Sequence, residues 1–234
     1  MKRKSRLMIC LCLALSIICV AQSRKSKKAA GLPMSEAEDC NLTFAGSARK
    51  SVKLRTAQDG SGYRKLNNGQ PMTVTEWLQT ACSTFDLAVR GKAIKDQPIS
   101  GVETQEVTLE GYLMGARFEN DGDLDIHAEI ADKPGWSATN YHVIVEVPPG
   151  QAYCSARKSL WDLAKNEVPA GKNSAILSNG PKIRVTGYVF VDTAHGGSHF
   201  CTNNGGRGIK DSSGNSNVKG LWEVHPVLQV QTVP

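Results

Sequence analysis

Eight consecutive residues, Asp123-Leu-Asp-Ile-His-Ala-Glu-Ile130, alternate strictly between polar and apolar side chains. Successive side chains on a strand point to opposite faces. The stretch therefore predicts a β-strand with Leu124, Ile126, Ala128 and Ile130 toward a core and Asp123, Asp125, His127 and Glu129 on the other face. The same period recurs in His142-Val-Ile-Val-Glu146 and Trp222-Glu-Val-His-Pro226. There Val143, Val145 and Val147 point in while His142, Ile144 and Glu146 point out. Likewise Trp222, Val224 and Leu228 oppose Glu223 and His225. Much of the chain's titratable chemistry is thus expected on one sheet surface.

The flanking residues place these strands in an order. Glu106 to Phe118 reads as a long strand, with Gly111 and Gly115 as bend or bulge points. Asn120-Asp-Gly122 is a tight-turn signal leading into Asp123–Ala131. Lys133-Pro-Gly-Trp136 turns the chain into Tyr141–Val147, which Pro148-Pro-Gly150 ends. A helix follows over Ala156–Lys165, with Ser155 as its cap. A fourth strand covers Lys182–Asp192, and a Gly-, Ser- and Asn-rich loop, 194–219, leads to a fifth over Leu221–Gln231. Three strands, a helix and two strands is the succession of a mainly β, five-stranded OB-like Greek-key barrel. Other small β folds share this list. In such a barrel the third strand lies between the second and the fifth, which makes His127, Glu146 and His225 neighbours.

Residues 101–234 form this barrel domain, and 39–100 an N-terminal mixed extension. Within the extension, Ser51-Val-Lys-Leu-Arg-Thr56 alternates like a strand and Asp59-Gly-Ser-Gly62 is turn chemistry. Thr73-Val-Thr-Glu76 matches a capping box ahead of a helix reaching about Thr84. Nothing in the extension reads as a site. Upstream, Lys2, Arg3, Lys4 and Arg6 precede the apolar run Leu7–Val20, and Ala21-Gln-Ser23 fits a cleavage site. Residues 1–23 therefore read as an export signal, with an uncleaved anchor as the alternative. Residues 24–38 read as a flexible basic linker. No later run is long or apolar enough to cross a membrane.

The formal charge of +6 sits at one end. Eight of the 28 Lys and Arg residues fall within residues 1–28, which leaves 20 against 22 acidic residues in the rest. A domain that binds nucleic acid usually carries a basic surplus, so this class is disfavoured. Four cysteines remain after the signal: Cys40, Cys82, Cys154 and Cys201. An even number in an exported chain implies disulfides in a periplasmic or extracellular protein. Their spacings fit no zinc pattern, and all three connectivities stay open.

The outward face admits several uses. Asp123, Asp125, His127, Glu146, Glu223 and His225 converge beside the long loop, where Asp192 and His195 join them from the end of the fourth strand. OB barrels commonly bind ligands over this face. Imidazole and carboxylate suit a divalent metal, with His127, Glu146 and His225 as the candidate ligands. The same groups could act as acid and base in a metal-dependent hydrolase, such as a phosphodiesterase. A third reading is structural: charged residues facing outward are ordinary on half-exposed strands, and cross-strand His–carboxylate pairs contribute only a few tenths of a kcal/mol. That reading makes the protein an envelope or interaction protein. No GxSxG, Walker A or dinucleotide fingerprint is present.

An ordered set of short motifs carries a resemblance: Val102-Glu-Thr-Gln105, Asp123-Leu-Asp-Ile-His127, Ile144-Val-Glu-Val-Pro148, Val185-Thr-Gly-Tyr-Val-Phe-Val-Asp192 with His195-Gly196, and Trp222-Glu-Val-His-Pro-Val227. Together with Cys40 and Ser51–Thr56, it resembles a family of exported bacterial proteins without an assigned activity. The resemblance implies that Asp125, His127, Glu146, Asp192, His195, Glu223 and His225 are family features. It supplies no reaction. If the family joins its N-terminal cysteine to the one after the third strand, Cys40–Cys154 and Cys82–Cys201 follow. Pairing between chain neighbours would give Cys40–Cys82 and Cys154–Cys201. A second likeness is to staphylococcal-type nucleases, whose OB barrel carries Asp-Gly-Asp after the first strand, as Asp121-Gly-Asp123 does here. The arginines such enzymes need for phosphate are not evident at the expected places. The expectation is an exported, disulfide-stabilised module that binds a ligand or an envelope partner on its polar face.

Overall fold

The computed structural model describes residues 36–55, 63–90, 94–195, 200–201 and 207–234. The expected signal, most of the basic linker, the Asp59–Gly62 turn and the glycine-rich parts of the long loop lie outside these residues. Eight strands are described: β1 (Arg64–Lys65), β2 (Met72–Thr73), β3 (Gln105–Phe118), β4 (Ile126–Ala131), β5 (His142–Val147), β6 (Ser174–Ile176), β7 (Lys182–Val191) and β8 (Trp222–Thr232). Five of them, in the order β3-β4-β5-β8-β7, close into a barrel through a β3–β7 pairing. β3 is long enough to serve both seams. Its first half pairs with β7 from Glu106 to Tyr112, and its second half with β4 from Tyr112 to Phe118. The ladder shifts register between Leu113 and Gly115, where the sequence predicts a bend. The expected barrel and strand order are therefore present, with three short extra strands against β3.

The barrel interior is filled by the inward half of each alternation. Val107, Leu109, Ile126, Ala128, Ile130, Val143, Val145, Val147, Val185, Val189 and Val224 are buried in one cluster. β-branched side chains at alternate positions suit a pleated, enclosed surface. Helix α4 (Cys154–Asp162), after the third barrel strand as expected, contributes Leu160 and Trp161 to the same cluster. Ser155 does not cap it.

Several local expectations change. Asp123 and Leu124 belong to the β3–β4 turn, not to a strand: Leu124 has φ 57°, which breaks the alternation before Asp125. The turn is also wider than two residues, with Glu119 N–H donating to Asp125 O at 2.9 Å. On β8, Val227 is fully buried in the core while Leu228 is only partly buried. The β7–β8 ladder shifts register around Gly187 and inverts the parity there.

Of the expected strand Ser51–Thr56, the described part, residues 51–55, is not a strand. Lys50–Lys53 form one helical turn, α1, because the segment is fixed by distant partners. Arg49 makes a bidentate pair with the fully buried Glu103 at 2.6 and 2.5 Å and donates to Val191 O. Ser51 binds Asp96 through both its N–H and its hydroxyl. The capping-box helix does form as α2 (Val74–Thr80), with Thr73 and Glu76 bonded reciprocally. It continues through a wider turn at Ala81–Phe85 into α3 (Asp86–Val89). Trp77, Ala81, Phe85 and Val89, four residues apart and all buried, carry it past Thr84.

Disulfides join Cys40 to Cys154 and Cys82 to Cys201, with Cα separations of 5.2 and 5.6 Å. The chain-local pairing is excluded. No helix among the described residues is long and apolar enough to cross a membrane.

Candidate functional site

The three alternating strands bring their polar residues together, but under cover. His127 on β4 stands opposite Glu146 on β5, and Val145 pairs with Val224, the residue before His225, on β8. All six residues of β4 are buried; Glu129, His142 and His225 have no exposed surface, and Asp125 and Glu223 have 1%. The face expected to be half-exposed is roofed. One cover is the 44–55 segment, which lays Lys53 across to Asp123 and sends Ala45 N–H to Gly122 O at 2.8 Å. Gly46 permits that approach, since a Cβ there would meet Asp123 Oδ1 at 1.6 Å. The other cover is the stretch after Arg207. Ile209 N–H donates to Glu129, and His142 bridges to Val218 and Asn217. Gly208, at φ 98°, makes the turn that aims this amide.

Beneath the roof, imidazoles and carboxylates alternate in a chain. His142 Nδ1 lies 2.7 Å from Glu129 Oε2, and Glu129 Oε1 is 3.5 Å from His127 Nε2. His127 Nδ1 meets Glu146 Oε1 at 2.9 Å, and Glu146 Oε2 lies 2.8 Å from His225 Nδ1. The last contact differs from the others. Although it is short, its angle makes no hydrogen bond, and neither ring nitrogen of His225 has a hydrogen-bond partner among the described residues. Asp125 Oδ2 lies 3.6 Å from His225 Nε2, and Glu223 Oε2 lies 3.9 Å from Nδ1. Asp125 Oδ1 and Glu223 Oε2 likewise lack partners among the described residues.

The charge states follow from these contacts. Burial opposes a charge on His127, but Glu129 and Glu146 outweigh it and hold the ring up at about 9. Burial would raise Glu129; its two histidines instead bring it down to about 2. Glu146 also stays well below the usual carboxylate range, its burial outweighed by the hydrogen bond and charge of His127. Asp125 is pushed the other way, by burial and then by the Glu146 charge. Burial lowers His225, which favours its neutral form. One end of the chain is thus a compensated ion network. The other end, Asp125–Glu146–His225, is not compensated.

This uncompensated end lies at the foot of a cleft of about 830 Å³ lined by Lys53, Arg117, Asp123, Asp125, His127, Glu146, Asp192, His195 and Arg207, among others. Asp192 accepts from Arg207 at 2.8 Å and meets His195 Nδ1 at 2.5 Å. Burial is overcome by His195 and Arg207 to bring Asp192 down to about 2. Arg207 also pairs with Glu223 and so ties Asp192 to β8. Among the expected site residues, Asp123, Asp125, His127, Glu146, Asp192 and His195 line the cleft. Glu223 and His225 lie buried behind it.

Sequence reasoning missed Lys53 and Arg207, and placed Glu129 on the polar face without counting it in the site. Glu129 shares the parity of His127 and was legible in that period. Lys53 and Arg207 belong to segments whose composition reads as extension and solvent loop. The candidate metal trio also changes. Asp125, Glu146 and His225 each present a donor atom within 4.8 Å of the others. His127, in place of Asp125 in the sequence reading, is turned toward Glu129 and Glu146.

No protein-family model matches the chain, and no curated protein matches it in sequence. Solved structures similar to the chain include two aminoacyl-tRNA synthetases. An aspartyl-tRNA synthetase from Entamoeba histolytica aligns over 72% of this chain and 24% of its own, at 11% identity and TM-score 0.31. An asparaginyl-tRNA synthetase from the same organism, in complex with asparaginyl-adenylate, aligns over 58% of this chain and 22% of its own, at 12% identity and TM-score 0.27. The chain spans about a quarter of the length of each, and these scores say nothing about activity.

Proposed function

We propose that the protein is an exported, disulfide-stabilised binding module that holds a small polar ligand in the cleft above Asp125, Glu146 and His225. One observation carries the reading. Buried polar atoms are nearly always paired, and leaving one unpaired costs about 1–3 kcal/mol. Here Asp125 Oδ1, Glu223 Oε2 and both His225 nitrogens lack hydrogen-bond partners among the described residues and cluster around one ring, whereas His142 Nε2 is the one such atom at the far end of the chain. A folded protein retains such a cost most readily where a ligand offsets it. Two disulfides, each spanning more than 110 residues, support secretion into an oxidising compartment, periplasmic or extracellular. With its charged walls, the cleft favours a charged small molecule over an apolar one.

A thermal-shift screen of sugars, amino acids, dicarboxylates and phosphate esters tests this. A ligand at about 100 times its Kd adds about 2.7 kcal/mol, a shift of several degrees. At least one compound should shift the wild type and not Asp125→Asn. If every compound leaves the two proteins alike, the cleft is structural.

A further inference from the structure

We infer that Asp125, Glu146 and His225 bind a first-row divalent transition cation, with Zn²⁺ the best fit, at the foot of the cleft. The inference rests on the binding reading above and names what sits at its centre. The geometry between His225 and Glu146 is the first ground. His225 Nδ1 and Glu146 Oε2 lie 2.8 Å apart without forming a hydrogen bond, so an imidazole nitrogen and a carboxylate oxygen stand side by side as ligand atoms. Asp125 supplies the third: one donor atom from each of Asp125, Glu146 and His225 lies within 4.8 Å of the others. Donors held about 2.1 Å from a common ion stand roughly 3.0–3.4 Å apart, so small side-chain adjustments bring one nitrogen and two oxygens onto one centre.

The second ground is independent of the cluster itself. Glu223, 1% exposed, leaves Oε2 without a partner among the described residues, 3.9 Å from His225 Nδ1. The carboxylate oxygens of Asp125 and Glu223 can only accept, and the His225 ring keeps one lone pair beside its single N–H, so a cation bound by one ring nitrogen and the acid oxygens meets what that one N–H cannot.

The surroundings match an outer shell. Glu146 Oε1 is held by His127, which is held by Glu129, and Glu129 is held in turn by His142 and the Ile209 amide. Relays of this kind fix ligand orientation at metal centres. One imidazole and two carboxylates form a borderline donor set, which suits Zn²⁺ or Mn²⁺ better than Ca²⁺ with its six to eight oxygens. Three protein donors leave a position open toward the cleft, where an anionic group of a ligand would complete the coordination.

The test uses the full chain stripped with EDTA and dialysed. Titration calorimetry with ZnCl₂, MnCl₂ and CaCl₂ should give one equivalent of Zn²⁺, weaker Mn²⁺ and no Ca²⁺. CoCl₂ should produce the visible absorption of a low-coordinate site. Asp125→Asn and His225→Gln should each weaken Zn²⁺ uptake by roughly a hundredfold, while circular dichroism shows both folded. Absence of saturable Zn²⁺ binding overturns the inference, as does binding that both variants retain. Should the compound screen, repeated in excess EDTA, still give shifts that Asp125→Asn loses, the cation is wrong and the binding cleft stands. Loss of both results removes both readings.

Discussion

His127 and Asp125 sit two residues apart and are expected to respond oppositely to substitution. His127 lies between Glu129 and Glu146 and is 3% exposed. His127→Ala would leave both carboxylates buried without their shared cation, which costs roughly 3–5 kcal/mol. That is much of a domain's stability, so urea denaturation should show a large loss. Asp125→Asn instead removes a carboxyl whose ionisation burial and Glu146 oppose, and leaves a side chain of the same size. Its melting temperature should equal or exceed the wild type. A clear fall would mean that Asp125 holds the fold together. Titration adds a third expectation. Glu129 and Asp192 sit at about 2 against ordinary values of 4.5 and 3.8. Depressed acids stabilise the fold above their unfolded values and lose that contribution as pH falls. Thermal stability should therefore hold down to about pH 4.5 and drop between there and pH 2, by on the order of 3 kcal/mol for Glu129. A melting temperature that does not change down to pH 2.5 would contradict these contacts.

Strand elements were readable because period two is a local signal: Ile126–Ala131 and His142–Val147 announce both their conformation and their buried face. The covers were not readable, because long-range partners fix them. Helix α1 forms where an alternating strand is predicted, since Arg49 answers to Glu103, 54 residues away. Arg207 lies in a Gly- and Asn-rich stretch, yet its partners Asp192 and Glu223 come from two barrel strands' ends. These covers can be tested as elements. Gly46→Val puts a side chain into Asp123 and should lift the 44–55 segment from the β3–β4 turn. Zn²⁺ uptake should then weaken more than stability does. Replacing Cys82 and Cys201 together by Ser removes a cross-link spanning 119 residues. Chain entropy sets that loss at about 4–5 kcal/mol. Hydrogen exchange should speed up first at Ile209 and Leu221, whose amides hold the roof to Glu129 and Phe200, and last in β3 and β7.

At the scale of the molecule, strand order predicted the closed barrel and the adjacency of His127, Glu146 and His225. It could not show that this face is interior, because the alternation of a roofed strand equals that of a wet one. The distinction changes the energetics: in water a His–Glu pair contributes a few tenths of a kcal/mol, whereas here both partners of the His142–Glu129 pair have left solvent. The pairing of β5 with β8 has its own consequence. It is parallel and joins residues 145 and 224, so no hairpin can set its register. Every donor except His225 is synthesised well before the chain that completes the barrel. An emerging or clipped polypeptide therefore carries Asp125 and Glu146 with nothing to position them. Competence to bind arrives all at once, with the final strand, and a chain shortened before Trp222 should behave as inert even where it keeps some shape.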